Sequence, residues 1–464
     1  MESKRTLISQ HLDKSVSDSN YQPATSEGAE PPILPAATQR FDTIDALRGF
    51  SILAVVLLHT WLRLYFAGYD IRRPSLPQMV ARLIFFNGGN GVTVFFAISG
   101  FLITLTSLRR FGSLSAVRAP VFYRIRFARI APLLVLIVTV LSALALAHVE
   151  GFQFSHKGAP LWRAVVSAFT FHLNWLEARF GYLPANWDVM WSLSVEEVFY
   201  LLFPVFCVAL LRFRRGMIPF IAVLLALVAM GPFARTVWST NPIWLEKSYL
   251  GGMDGIALGC LTALLTHYFA TRQAGLWPAT HRRSLLFLQI AGATVIAVIA
   301  CGPDWLWKLF PTKADFYGTL LAMGACLVMM ASVLRQAGGH SRSPSRIAAP
   351  IRWYGRHSYE VYLTHEFIVI WGVLLFARYH PNTNPKPGGL ALHQLSLLQM
   401  AAWIVGILVL TAPLGWLTAT LFSEPMNRRL RRARPPRTPS SLPHLYIEPV
   451  SEYGQEIRVS RSNR

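Results

Sequence analysis

"DALRGFSILAVVLLH", residues 45–59, sets three ionisable groups into an otherwise apolar run. A helix advances about 100° per residue, so the eleven positions between Arg48 and His59 bring their side chains to within roughly 20° of each other, about 16 Å apart along the axis. Asp45 lies three positions before Arg48 and falls on nearly the same face. One stripe therefore runs carboxylate, guanidinium, imidazole. Such a stripe is costly in lipid unless it faces protein or water. The run reads as a membrane-spanning helix with its polar stripe turned into a bundle. Asp45 and Arg48, near the boundary, suit a snorkelling ion pair. His59 either cycles a proton or hydrogen-bonds between helices, and both readings stay open on the residues alone.

The rest of the chain extends that reading. Hydrophobic residues make up 53% of the 464 and charged residues 14%, and the mean hydropathy is +0.39. That is too apolar for an ordinary soluble surface. The apolar residues fall in blocks of about 20, the length that crosses a hydrocarbon layer as helix, and lack the ten-residue alternation of a barrel. Ten spans are expected, near 45–67, 83–107, 130–149, 190–212, 217–236, 250–270, 284–302, 316–335, 357–378 and 397–422. The fold class is all-α, a polytopic transmembrane helical bundle. Five alternate connecting segments hold 23 arginines. The other segments hold about half as many basic residues, which predicts both termini inside.

The net charge of +21 is thereby explained as topology, and nucleic acid is not an expected partner. Cys207, Cys260, Cys301 and Cys326 sit in apolar blocks without metal-ligand spacing, so no metal is expected. Residues 1–41 and 431–464 are polar or basic and Pro-rich, and read as disordered cytoplasmic tails around a 42–430 membrane domain. "LWRAVVSAFTFHLNWL", residues 161–176, is amphipathic and suits the membrane surface. A transporter or flippase of a glycan or lipid-linked sugar would also embed ionisable residues, but no internal repeat supports it.

Further along, Ser99 and Gly100 end "GVTVFFAISG". Gly100 permits close helix approach, and Ser99 suits either helix packing or a ligand. Arg126 and Arg129, three apart, can hold phosphate oxygens bidentately or can mark the inner side of the membrane. Glu196 and Glu197 point about 100° apart, so one faces a cavity and the other an interface. Glu196 is the preferred functional member, and Trp191 before it suits a membrane-boundary anchor. Tyr359, Tyr362 and His365 form one stripe that fits helix–helix hydrogen bonding as well as donor contact.

Five blocks occur in order: "DALRGFSILAVVLLH" (45–59), "GVTVFFAISGFLIT" (91–104), "FYRIRFARIAPLL" (122–134), "WSLSVEEVFYLLFP" (191–204) and "YGRHSYEVYLTH" (354–365). Together they resemble the acyltransferase-3 family of integral membrane acyltransferases over about residues 42–430. The resemblance implies a ten-helix multi-pass protein of the inner (cytoplasmic) membrane with no permanently bound cofactor. It implies acyl-CoA as cytoplasmic donor, acetyl-CoA in the first instance, and a carbohydrate acceptor such as lipopolysaccharide or exopolysaccharide. Membrane lipid surrounds it, and envelope-polysaccharide assembly proteins are open as partners. His59 and Arg48 match the family's arginine and histidine eleven apart, and so become the catalytic pair. Arg126 and Arg129 match its paired arginines and become candidates for the CoA phosphates. Glu196, Ser99 and His365 complete the expected substrate-binding set.

Overall fold

The computed structural model describes residues 41–70, 77–155, 158–272, 281–302, 315–338, 345–380 and 393–431. The expected tails at 1–41 and 431–464 therefore lie outside the described residues, save Phe41 and Arg431. Among the described residues, ten helices are long and apolar enough to cross a membrane. Their cores are α1 (Asp42–Phe66), α2 (Gly88–Phe111), α3 (Ala119–Leu146), α4 (Trp191–Leu211), α5 (Met217–Ala234), α6 (Tyr249–Arg272), α7 (His281–Cys301), α8 (Tyr317–Ala337), α9 (Ser358–Tyr379) and α10 (Leu397–Leu417). The only extended pairing among the described residues is a parallel bridge of two residues on each side, Tyr69 with His393 and Asp70 with Gln394. The chain is an all-helical, multi-pass membrane bundle.

The ends of several helices differ from the expected spans, for local reasons. The second span starts at Gly88 rather than 83 because Asn87 closes a separate helix, Gln78–Phe85; its Nδ2 donates to the carbonyls of Arg82 at 2.9 Å and Leu83 at 3.2 Å. The third span starts eleven residues early, at Ala119, with Pro120 in its first turn, where a missing N–H costs nothing. Arg126 and Arg129 are thus inside a helix. Residues 161–176 do not form one surface helix. They split into Leu161–Phe169 and the start of Leu173–Phe180 around Phe171, whose φ is +56°. Beyond α10, a π-helical turn at Thr418–Ser423 leads into a last helix, Glu424–Arg431.

Glycines set the close contacts. A Cβ on Gly100 would come within 1.8 Å of the Ile256 carbonyl oxygen, and one on Gly259 within 2.1 Å of that of Ala97, so α2 and α6 touch backbone to backbone. Gly49 and Gly355 do the same between α1 and the helix Ala349–Arg356, with 1.9 Å to Ile351 O and 1.7 Å to Asp45 O. Arg352 also reaches Asp42 at 3.4 Å. This clamp fixes the height of α1 beside α9 and brings His59 opposite His365.

Candidate active site

His59 is four residues after Val55, and its Nδ1 lies 3.0 Å from the Val55 carbonyl oxygen. A carbonyl only accepts, so this nitrogen carries the proton. His365, fully buried, has its Nδ1 at 2.8 Å from the Tyr362 carbonyl oxygen and 3.1 Å from that of Val361, and it too is the protonated nitrogen. Its Nε2 is then a lone pair, and it accepts from the Nδ1–H of His59 at 3.1 Å. Both rings are thereby oriented, and the Nε2 of His59 is left as a free base.

The nearest acid to that base is Glu366, whose Oε1 is 3.8 Å from it. Glu366 is 0% exposed. A buried carboxylate needs partners, and Arg63 supplies a fork: Nε donates to Oε2 at 3.0 Å and Nη2 to Oε1 at 3.2 Å. Base, orienting imidazole, carboxylate and guanidinium thus form one chain, in which a proton taken by His59 has a negative charge beside it. The ligand atoms of His59, His365 and Glu366 lie within 4.8 Å of one another, a spacing that could hold a metal ion. An ion bound at one Glu366 oxygen would stand beside the Arg63 guanidinium, which already donates to both oxygens, so a second cation is disfavoured there. His365, expected among the substrate-binding residues, sits behind His59 instead. Arg63 and Glu366 were not expected. Their signal was available: Arg63 is one turn past His59, and Glu366 follows His365.

The remaining sequence candidates gather in a cavity of about 640 Å³. Arg48, Arg110, Arg126, Arg129, Arg428 and Arg431 line it, against two carboxylates, Glu196 and Glu424. Arg126 lies over the Tyr200 ring, 3.7 Å from its centroid, with Glu197 at 3.7 Å. Arg129 has Glu360 at 3.8 Å. The Nε atoms of Arg48 and Arg126 are buried with no hydrogen-bond partner among the described residues, a state that favours an anionic ligand. Ser99 donates to Glu196 at 2.9 Å, joining α2 to α4. Glu196 is the sixth residue of α4, and it lines the cavity while Glu197 faces Arg126. Trp191, expected as a boundary anchor, packs edge-on against Phe96 at 6.2 Å.

Arg48 and His59 do not share this cavity. Phe95 and Tyr362, with ring centroids 6.4 Å apart, line its far end, and the Tyr362 ring lies 6.1 Å from that of His365. Tyr362 also donates to the Val189 carbonyl at 2.8 Å and pairs with Ser192 at 2.7 Å. Tyr359 donates to the Ile130 carbonyl at 2.9 Å. The tyrosine stripe is therefore helix–helix glue that also separates the arginines from the histidines.

The family profile described as an acyltransferase domain matches residues 41–420. The chain belongs to the acyltransferase-3 family. It is 26% identical over 348 residues to a peptidoglycan O-acetyltransferase, OatA, of Listeria monocytogenes, covering 70% of this chain and 49% of that one. It is 23% identical over 352 residues to an O-acetyltransferase OatA of Staphylococcus aureus, covering 71% and 50%. The chain spans about half the length of these curated relatives. No solved structure matches it.

Proposed function

We propose that this protein moves an acyl group, in the first instance acetyl, from acyl-CoA to a hydroxyl of a cell-envelope carbohydrate. The oriented His59 with its free Nε2 is the observation that carries this reading. His59 takes the acceptor hydroxyl proton as the oxygen attacks the thioester carbonyl, and returns it to the departing CoA thiolate. Alternatively, Nε2 itself carries the acyl group between two half-reactions. His365 and Glu366 position the base and support its positive charge. Arg48, at the cavity wall, binds the donor or polarises its carbonyl.

The arginine cavity is the proposed donor site, with Arg126 and Arg129 on the CoA phosphates; forked guanidiniums suit phosphate oxygens. The positive-inside rule supports an arginine face toward the cytoplasm, and all-helical spans are in keeping with the inner (cytoplasmic) membrane. The acceptor class rests on the likeness to the Listeria peptidoglycan O-acetyltransferase. Lipopolysaccharide and exopolysaccharide belong to the same chemistry.

His59→Gln keeps a hydrogen-bonding side chain but cannot cycle a proton at neutral pH. Purified variant should bind acetyl-CoA like wild type, release CoA at least about 100-fold more slowly, and leave envelope glycans without the ester by mass spectrometry. A normally expressed His59→Gln that acylates glycan at the wild-type rate would remove the catalytic role.

A further inference from the structure

A second cavity, of about 920 Å³, lies at the opposite end of α2. The start of that helix, from Gly89 to Phe96, lines it, whereas the arginine cavity runs from Val92 to Arg110. Its walls come from residues next to the α6, α7 and α8 ends that lie on this same side, including Gly251, Gly252, Gly302 and Gly318. Gly89 faces open space: a Cβ there would meet nothing within 4 Å.

The lining chemistry differs from that of the arginine cavity. Two guanidiniums, Arg82 and Arg235, stand against two carboxylates, Glu246 and Asp315. They are also engaged with protein. Arg235 donates to Asp315 at 3.1 Å, to Asp254 at 2.9 Å and to Thr319 at 2.9 Å. Arg82 bonds the Gly302 carbonyl. Glu246 accepts from the Tyr182 hydroxyl at 3.0 Å. Between them lie aromatic rings, Phe86, Phe96, Trp191 and Tyr317, and the side-chain amides of Asn87 and Asn90. A charge-balanced pocket of flat apolar rings and fixed polar groups suits a ligand that is itself uncharged, with apolar faces and a rim of hydroxyls or amides.

We infer that this glycine-walled cavity is the acceptor site, and that its occupant is an uncharged pyranose chain. The inference rests on the acyltransferase reading and adds to it where the sugar sits and what charge it carries. Val92 and Phe96 line both cavities, so donor and acceptor compartments are one side chain apart.

The test is a size series at Gly89, which lies on a helix and tolerates a side chain. Gly89→Ala, Gly89→Leu and Gly89→Trp should lower ester on envelope glycans progressively, by at least tenfold for Trp. Acetyl-CoA affinity of the purified variants should stay within twofold of wild type. Thr93→Phe, one turn along the same wall, should repeat the effect if Trp at 89 impairs folding. Calorimetry with a soluble N-acetylglucosamine tetramer should show binding to wild type, loss in Gly89→Trp, and no binding of a uronic-acid oligomer of equal length. Gly89→Trp and Thr93→Phe with full glycan ester, while His59→Gln has none, would overturn the acceptor site and leave the enzyme reading standing. His59→Gln with full ester would instead sink the enzyme reading. Tetramer binding that is absent in wild type, or unchanged in Gly89→Trp, would also overturn the site.

Discussion

The two ends of α2 treat charge in opposite ways. At the arginine end, six guanidiniums face two carboxylates, and the buried Nε atoms of Arg48 and Arg126 have no hydrogen-bond partner among the described residues. At the glycine-walled end the charges are matched in number and each is engaged with protein, Arg235 with Asp315, Arg82 with a backbone carbonyl and Glu246 with Tyr182. The nearby supports follow the same rule. Lys247, 1% exposed, bonds Glu177 at 2.8 Å and also Asp188, and its ammonium lies 4.5 Å from the centre of the Tyr182 ring. Burial and the neighbouring Glu246 push the Tyr182 phenol up to about 12, so it stays a donor to Glu246 throughout the ordinary pH range. An excess of positive charge marks where a polyanion would bind, and balanced charge marks architecture.

That contrast can be broken most strongly at Lys247. Replacing it with Met leaves Glu177 buried without its ammonium, and removing one partner of such a pair costs about 3–5 kcal/mol. Thermal unfolding in detergent should drop accordingly. A small shift would mean that the matched charges at this end do not hold the structure. Next in size is the double variant Arg126→Lys with Arg129→Lys. Charge is kept but the fork is lost, and acetyl-CoA affinity should fall by about 10- to 100-fold, a cost of about 1.4–2.7 kcal/mol, with thermal stability and topology unchanged. Unchanged affinity would return the pair to a purely topological role.

Ionic strength separates the two sites without mutation. Raising salt from about 50 mM to about 500 mM should weaken acetyl-CoA binding several-fold, because solvent ions screen open charge. Binding of the neutral tetramer should barely move. Equal salt sensitivity at both sites would dissolve the distinction. The smallest effect is expected at Arg428, which is 74% exposed and paired with Glu424 at 2.9 Å. Arg428→Met should cost about threefold in donor affinity and almost nothing in stability, since exposed pairs contribute about 0–1 kcal/mol.

Legibility in the sequence followed the range of the interactions. The spans were readable because each depends on its own 20 or so residues. Arg126, Arg129, Glu196 and Ser99 were singled out by the resemblance to the family's blocks, and the cavity does collect them. The start of α3 was missed because its arginines looked like a membrane boundary, whereas Pro120 lets the helix begin well before them. The partners of His59 were missed for another reason. Glu366 meets Arg63 across 303 positions of chain, and periodicity carries no information at that distance. The glycine-walled cavity was invisible in the same way. Its walls come from six separate stretches, and a glycine that faces a void looks, in sequence, like one that permits close packing.

Val92 and Phe96 form a partition one side chain thick between the two compartments. If the cofactor occupies one side and the sugar the other, only the acetyl unit has to pass between them. That unit is neutral, so its passage draws nothing from the electrical potential across the membrane. Carrying each charge of an anionic donor over the same interval would involve about 2.3 kcal/mol per 100 mV. On the proposed reading, a thin apolar septum would let an envelope be decorated from a cytoplasmic store while the membrane keeps its voltage.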